Sequence, residues 1–494
     1  MLKENSELKF TLIFFSVALV ICFGLNLDIL KDYAFLDAYE FIYTANRNSD
    51  FQNIFIENGR PLLGLWSEFF YGSVFETISQ LKWARIFALF FCVLFSTQLF
   101  RFLLKLGLKP YESAIFSVLV LALPTFTVYF AWSATAQIPI LLIANFYAGQ
   151  LLLKAFIQKK IFSLNFAIAF CIVFISLFMY QSAVMIFILP LIFTVIKTNS
   201  FDLKTVTYFI LFTLLSFILY FVFFKLTLSI SSLDASYRTS LNPLNIPKRV
   251  IKFYMFELRI LIKNSGFLLI SKLSLLIGAI AFLGFLIQQF LIKRSLIFLS
   301  ALVLILPFCY APNILSGQSY FSLRAISPTA IIILFYQFWF LRNLCLKYNK
   351  TKVGLLIIPV SLLLLSAFNQ KKYVAGLQHK EYEILRKAFQ DFDINQVNKL
   401  VIIRPNYGFL QELGYLKNGF SGEFGNLSSV KDWVPNHLFS QIKWEQQKDR
   451  NKTSEVFPIR NINIYNQDNY IQRHNIKTIH LVELFEEAFT IKSF

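Results

Sequence analysis

DILKDYAFLDAYEFIYTANRNSDFQNIFIENGRPLLGLWSEFFYGSVFETISQL, residues 28–81, lies between two apolar runs, 10–27 and 83–100. Each run is long enough to cross a bilayer as a helix, so the stretch is a polar loop between the first two membrane spans. Eight of the chain's 28 acidic residues fall in it: Asp28, Asp32, Asp37, Glu40, Asp50, Glu57, Glu68 and Glu76. In a chain of net charge +19, carboxylates gathered beside a bilayer mark the first place to look for chemistry.

Hydrophobic residues make up 56% of the 494-residue chain, Phe alone accounts for 59, and charged residues for only 15%. With a mean hydropathy of +0.59, this composition excludes an ordinary soluble protein and points to a polytopic protein embedded in the lipid bilayer. The positive charge therefore reads as a cytoplasmic membrane face, with no nucleic acid as partner. Cys22, Cys92, Cys171, Cys309 and Cys345 lie in or beside apolar runs, and His379, His437, His474 and His480 are scattered through the tail. Neither set makes a disulfide framework or a zinc motif, so no metal site and no cofactor is expected. P-loop, dinucleotide and Ser-His-Asp patterns do not occur.

Apolar windows predict about eleven helical spans. They lie at 10–27, 83–100, 114–131, 138–153, 162–179, 183–196, 206–225, 268–291, 296–311, 325–341 and 353–368. The first lacks a cleavage site and reads as an uncleaved span. Alternate connections carry Lys3/Lys9, Arg101/Lys105/Lys109, Lys154/Lys159/Lys160, Lys197/Lys204, Lys293/Arg294 and Arg342/Lys347. Under the positive-inside rule these face the cytoplasm, so the N-terminus is cytoplasmic and both the 28–81 loop and the tail are extracytoplasmic. Segment 227–267 departs from the bias, with Arg238, Lys248, Arg249, Lys252, Arg259 and Lys263 on the outer side.

From Asn369 onward the apolar runs stop and charges of both signs appear, dividing the chain into a membrane domain, 1–368, and a soluble domain, 369–494. Helical spacing at 378–392 and strand-like runs at 399–404, 456–465 and 476–484 predict a small α/β fold for the second. The fold class expected overall is mainly α, a polytopic helical membrane protein with an extracytoplasmic α/β domain.

Within the loop, residues 33–45 have a helical pattern. Asp37 and Glu40 share one face, while Phe35, Tyr39, Ile42 and Tyr43 form a side expected to face the membrane. Asn58-Gly59 breaks the chain, Pro61 opens a second helix, and Leu62, Leu65, Trp66, Phe69 and Phe70 give it an interfacial face. A carboxylate held there suits a general base, and Arg60 suits a phosphate. The plainer alternative is that these charges solvate exposed helix faces. Arg324, entering the tenth span, either grips a lipid-linked phosphate or snorkels to the interface. The same choice stands for Arg238, Lys248, Arg249 and Arg259.

Leu36-Asp37 followed by Asn58-Gly59-Arg60-Pro61-Leu62 resembles the O-antigen glucosyltransferase family, within the GT-C class of integral-membrane glycosyltransferases. The Arg-bearing segment 320–328 and the tail run GEFGNLSSVKDWVPN, 422–436, are similar to further elements of that family. Where the family has two adjacent acids, this chain has Leu36 and Asp37, leaving Asp32 or Glu40 to supply the second carboxylate. The resemblance implies a GT-C-like membrane domain in the bacterial cytoplasmic (inner) membrane. It implies a polyprenyl-phosphate-linked sugar donor and a lipid-linked or cell-surface glycan acceptor, met on the outer face. Asp37 would be the base, with Glu40 and Asp32 in reserve, and Arg60 and Arg324 would hold the donor phosphate; Arg249, from the basic 227–267 segment, is a further candidate for that role.

A flippase of lipid-linked saccharides would need charged residues inside several spans, which are almost free of acids here. A polysaccharide polymerase or ligase is the other alternative, kept open by the basic 227–267 segment. The orientation has a direct test: an enzyme reporter fused after Phe494 is expected to be active only outside the cytoplasm, and cytoplasmic activity would refute it.

Overall fold

The computed structural model describes residues 2–45, 47, 50–160, 163–199, 202–240, 243–263, 272–317, 321–347, 351–390, 400–413, 423–449, 462–466 and 477–489. The described chain is mostly helical and reads as a polytopic membrane protein. Among the described residues, seven helices are long and apolar enough to cross a bilayer. They become eight if Pro110–Leu121 and Pro124–Ala131, bent by 58°, form one broken span. This is fewer than the eleven expected. Leu164–Leu177 and Leu296–Cys309, two of the expected spans, have only 14 residues each. At 1.5 Å per residue they reach roughly 21 Å, short of a hydrocarbon core of about 30 Å.

Local chemistry explains the breaks. Pro124 cannot donate to the preceding turn and forces Leu123 into an extended conformation (ψ 138°), so the apolar run at 114–131 bends there. In Gln181–Thr198 the helix passes through a tight turn at Met185–Ile188. Gly149 lies against that turn: a Cβ on it would stand 2.0 Å from the Phe187 carbonyl oxygen. The helices Ile138–Ile157 and Gln181–Thr198 approach this closely only because position 149 has no side chain. Towards the cation-rich end, Arg342 Nε meets the fully buried Glu112 carboxylate at 3.0 Å. That pair joins the start of Pro110–Leu121 to the C-terminal half of Ser327–Lys347.

The 28–81 loop folds as a chain of short helices, including Asp37–Thr44, Phe51–Glu57 and Pro61–Phe69. Its entry is held by Arg85, which is fully buried in the helix Leu81–Lys105. Arg85 donates from Nε to the Ile29 carbonyl (2.8 Å), from Nη1 to Tyr33 (2.7 Å) and from Nη2 to Lys31 (2.6 Å). Its guanidinium also sits 3.8 Å from the Tyr33 ring centroid. The first helix is shorter than the expected 33–45, and its apolar side does not face lipid. Phe35, Tyr39, Ile42 and Tyr43 are buried, and the helix packs on Val434–Asp449 from the C-terminal part of the chain. The helical spacing holds, but the side expected to face the membrane is instead covered by protein, because a distant helix supplies the apolar surface that the spacing requires. On the Pro61 helix, Leu65 and Phe69 stay exposed while Trp66 stacks on Phe70.

The compositional boundary at 369 falls inside a continuous helical run, because Thr351–Gln370 passes through Lys371–Ala375 into Gly376–Gln390. Three parallel strands follow in the order Ile462–Asn466, Leu400–Arg404, Lys477–His480. Ile402 pairs with Ile464 on one side and Ile479 on the other. The expected strand 476–484 stops at His480 and becomes the helix Leu481–Phe489. Leu481, Val482, Phe485 and Phe489 are buried there, a spacing of 3.6 rather than 2 that the short run concealed. Residues 456–461 of another expected strand lie outside the described residues.

Arg85→Met would leave three carbonyls without their donor, at about 1–3 kcal/mol each where they are buried. The variant is expected to lower the melting temperature of the detergent-solubilised protein sharply, whereas a near-wild-type melt would show that the loop is held by other contacts.

Candidate functional site

Three adjoining clefts, of about 900, 1040 and 1060 Å³, meet at one end of the helical bundle, and Arg238 and Arg324 line all three. Arg60, Tyr180, Gln181, Tyr220 and Asn313 contribute to the first. Asp37, Glu40, Arg60, Gln137 and Trp433 contribute to the second. Asp37, Trp132, Tyr407, Glu423 and Lys431 contribute to the third. Asp37 and Glu40 thus face the same space from one helix, with three guanidiniums around them.

Arg60 is positioned by its own turn. Gly59 takes φ 70°, a left-handed conformation, and its carbonyl accepts from Gln181 Nε2 and from the Tyr220 hydroxyl, both at 2.9 Å. A Cβ at Gly59 would stand 2.2 Å from that hydroxyl. Gln181 then accepts from Arg60 Nε at 3.0 Å, and the Arg60 guanidinium lies 4.8 Å from the Tyr180 ring centroid. These partners orient Arg60 without neutralising it.

Arg238 arrives from the basic segment that the positive-inside rule could not accommodate. Ser236 N and Thr239 Oγ1 donate to the Glu57 carbonyl at 3.1 and 3.0 Å, and Ser236 Oγ donates to Asn58 Oδ1 at 2.9 Å. The segment is thereby tied to the turn that carries Arg60. Arg249, from the same segment, is placed elsewhere. Its guanidinium donates to the carbonyls of Ile314 (2.9 Å), Ser316 and Gly317 (2.8 Å), so it braces backbone and lines none of the three clefts.

Arg324 lies between two carboxylates, 3.8 Å from Asp37 and 3.7 Å from Glu423, with its guanidinium 4.4 Å from the Trp132 ring centroid. Glu423 also accepts from the Ser322 hydroxyl at 2.5 Å and from Leu323 N at 3.0 Å, which fixes the turn that presents Arg324. Asp37 follows Leu36, a non-glycine residue at φ 47° and ψ −119°, a conformation that costs on the order of 1–3 kcal/mol. The Leu36 N–H donates to Ser428 Oγ at 3.1 Å. Ser428 N and Ser429 N in turn donate to the buried Glu381 carboxylate, each at 2.8 Å.

Of the expected acids, Asp32 lines none of these clefts. Its backbone carbonyl meets His379 Nδ1 at 2.8 Å. Glu40 is the acid that accompanies Asp37. Burial, and then the Asp37 charge, pushes its carboxyl up to about 7. Burial likewise raises Glu381 to about 7, against the opposing hydrogen bonds from Ser429 and Ser428. Glu423, Glu381 and Arg85 had no role assigned in the sequence reading. A lone arginine in an apolar helix was the available signal for Arg85, whereas Glu381 and Glu423 act across separations of 47 to 101 positions, beyond any local pattern.

Fold and site together define a polytopic helical membrane protein with a carboxylate-and-guanidinium site at one end of its bundle. Comparison with family models, with curated proteins and with solved structures returns no match.

Glu40 and Glu381 go from an ordinary 4.5 to about 7 on folding, so the folded chain holds protons that the unfolded chain releases at lower pH. The stability they contribute is fully present below pH 4.5 and is lost as pH rises through 7. The melting temperature should therefore fall between about pH 5 and about pH 8, and Glu381→Gln should flatten that slope; an unchanged slope in the variant would overturn the attribution.

Proposed function

We propose that this protein is a GT-C-type glycosyltransferase of the bacterial cytoplasmic membrane, akin to the O-antigen glucosyltransferases. It moves a sugar from a polyprenyl-phosphate donor to a cell-surface glycan on the outer face. The N-terminus is cytoplasmic in this reading, and the α/β-like C-terminal domain is extracytoplasmic. The single observation that carries it is the meeting of Asp37 with Arg60, Arg238 and Arg324 around one cleft at the end of an apolar bundle. A carboxylate beside several guanidiniums suits transfer from a phosphate-linked sugar, in which one group takes a proton and the others receive growing negative charge.

In this scheme an acceptor hydroxyl attacks the anomeric carbon of the donor. The new glycosidic C–O bond forms as the C–O bond to phosphate breaks, and polyprenyl phosphate leaves with the bonding electron pair. The hydroxyl proton passes to the Asp37 carboxylate. Arg60, whose described partners are neutral, takes most of the phosphate charge. Arg324, already flanked by Asp37 and Glu423, orients the carboxylate and meets the phosphate at its edge. Glu40, on the same helix face and lining the same cleft, accompanies Asp37 as the second carboxyl. A flippase is less well supported, because the three cations and both acids collect at one end instead of lining a path.

Asp37→Asn is expected to reduce sugar transfer in isolated membranes by at least about a hundredfold at an unchanged protein level. Arg60→Ala is expected to raise the apparent donor KM more than Arg249→Ala does. Full activity of Asp37→Asn would defeat the catalytic assignment, and donor-independent defects in Arg60→Ala would defeat the phosphate role.

A further inference from the structure

We infer that the cleft between Asp37 and the C-terminal part of the chain binds a saccharide acceptor, with Tyr407 as its stacking face and Lys431 as its hydrogen-bond donor. The inference rests on the transferase reading above and identifies the chemistry of the second substrate at that same site.

Asp37, Arg238, Arg324 and Trp433 line both the second and the third cleft, whose remaining walls come from different parts of the chain. The second cleft is bounded through Arg60, Arg238 and Arg324 by the first, which also includes Phe217 and Phe221, on the apolar helix Leu203–Ser231. Ile218, Val222 and Phe223 of that helix are exposed, as a lipid-facing surface would be. The third cleft takes most of its wall from the C-terminal part, where Tyr407, Glu423, Asn426, Lys431 and Trp433 bring polar and aromatic groups beside Leu427 and Val430.

Tyr407 is 60% exposed, whereas Phe409, Phe424 and Phe439 nearby in the chain are buried. A ring left open at the wall of a concave site presents a flat apolar face with a hydroxyl at its tip. The Lys431 ammonium lies 4.7 Å from the Tyr407 ring centroid and 5.6 Å from that of Trp433. It therefore bridges the two rings by cation–π attraction and keeps a charged donor between them. Rings that stack on the C–H face of a pyranose, together with an ammonium and a carboxylate that bind its hydroxyls, match a sugar better than a lipid tail or a peptide backbone. Asp37 lines this same cleft, so a hydroxyl of a sugar bound there can meet the base.

Tyr407 is too exposed to contribute much to folding, so Tyr407→Ala isolates its role in binding. In membranes the variant is expected to raise the acceptor KM about tenfold, with kcat and donor KM within about twofold of wild type. A donor-free measurement supplies the second readout. The full-length protein, in lauryldimethylamine oxide to avoid a sugar-headed detergent, is titrated with oligosaccharides released from the host's own surface polysaccharide. Wild-type protein is expected to bind them, and Tyr407→Ala and Lys431→Ala to bind about tenfold more weakly. An unchanged acceptor KM in Tyr407→Ala, equal binding by the variants, or no binding by wild type overturns the inference. If wild-type membranes transfer no sugar while the titration shows Tyr407-dependent binding, the transferase reading falls and the saccharide cleft stands.

Discussion

The buried guanidinium of Arg85 is the contact on which the site depends. It binds three alternate carbonyls, those of Ile29, Lys31 and Tyr33, at the entry of the 28–81 loop, in a place where water cannot substitute for it. A charged group in an apolar helix is costly by itself, and the three carbonyls and the Tyr33 ring offset that cost. Once the loop leaves the bundle in a fixed direction, the helix Asp37–Thr44 can present its two acids to the cleft.

The C-terminal part of the chain completes what Arg85 begins. Its helix Val434–Asp449 covers the apolar face of Asp37–Thr44, and Ser428 receives the Leu36 N–H just before Asp37. Glu381 fixes Ser428 and Ser429, and Glu423 fixes the turn that carries Arg324. Each is a carboxylate binding backbone N–H or hydroxyl groups, a strong interaction where solvent is excluded. The tail is accordingly part of the site's framework, and the run 423–430 in particular is shared between them.

Much of this was legible in the sequence. The composition and long apolar runs required a helical membrane protein, and the i, i+3 spacing placed Asp37 and Glu40 on one face of a helix. Asn58-Gly59-Arg60-Pro61 announced a turn and a helix start, and the structure uses Gly59 and Pro61 in that way. Among the described residues seven or eight helices are long and apolar enough to cross a bilayer where eleven spans were expected, because hydropathy windows do not register a 14-residue helix or a bend at Pro124. The choice of Arg249 over Arg238 also went wrong for a physical reason. Eleven residues apart on one basic segment, they are indistinguishable by charge, and only docking on the Glu57 and Asn58 turn selects Arg238.

The sequence by itself determined the class of the molecule, the loop that matters and the residue types available there, since solvent partition and helical periodicity are local properties of the chain. Tertiary structure alone decided which of those residues meet. Residues 37, 60, 238, 324 and 423 come together through hydrogen bonds spanning hundreds of positions, and no local pattern encodes such distances. Asp32 meets His379 through its carbonyl, Arg249 became a backbone brace, and Glu423 entered the site, because burial assigns each polar group the nearest partner able to compensate it.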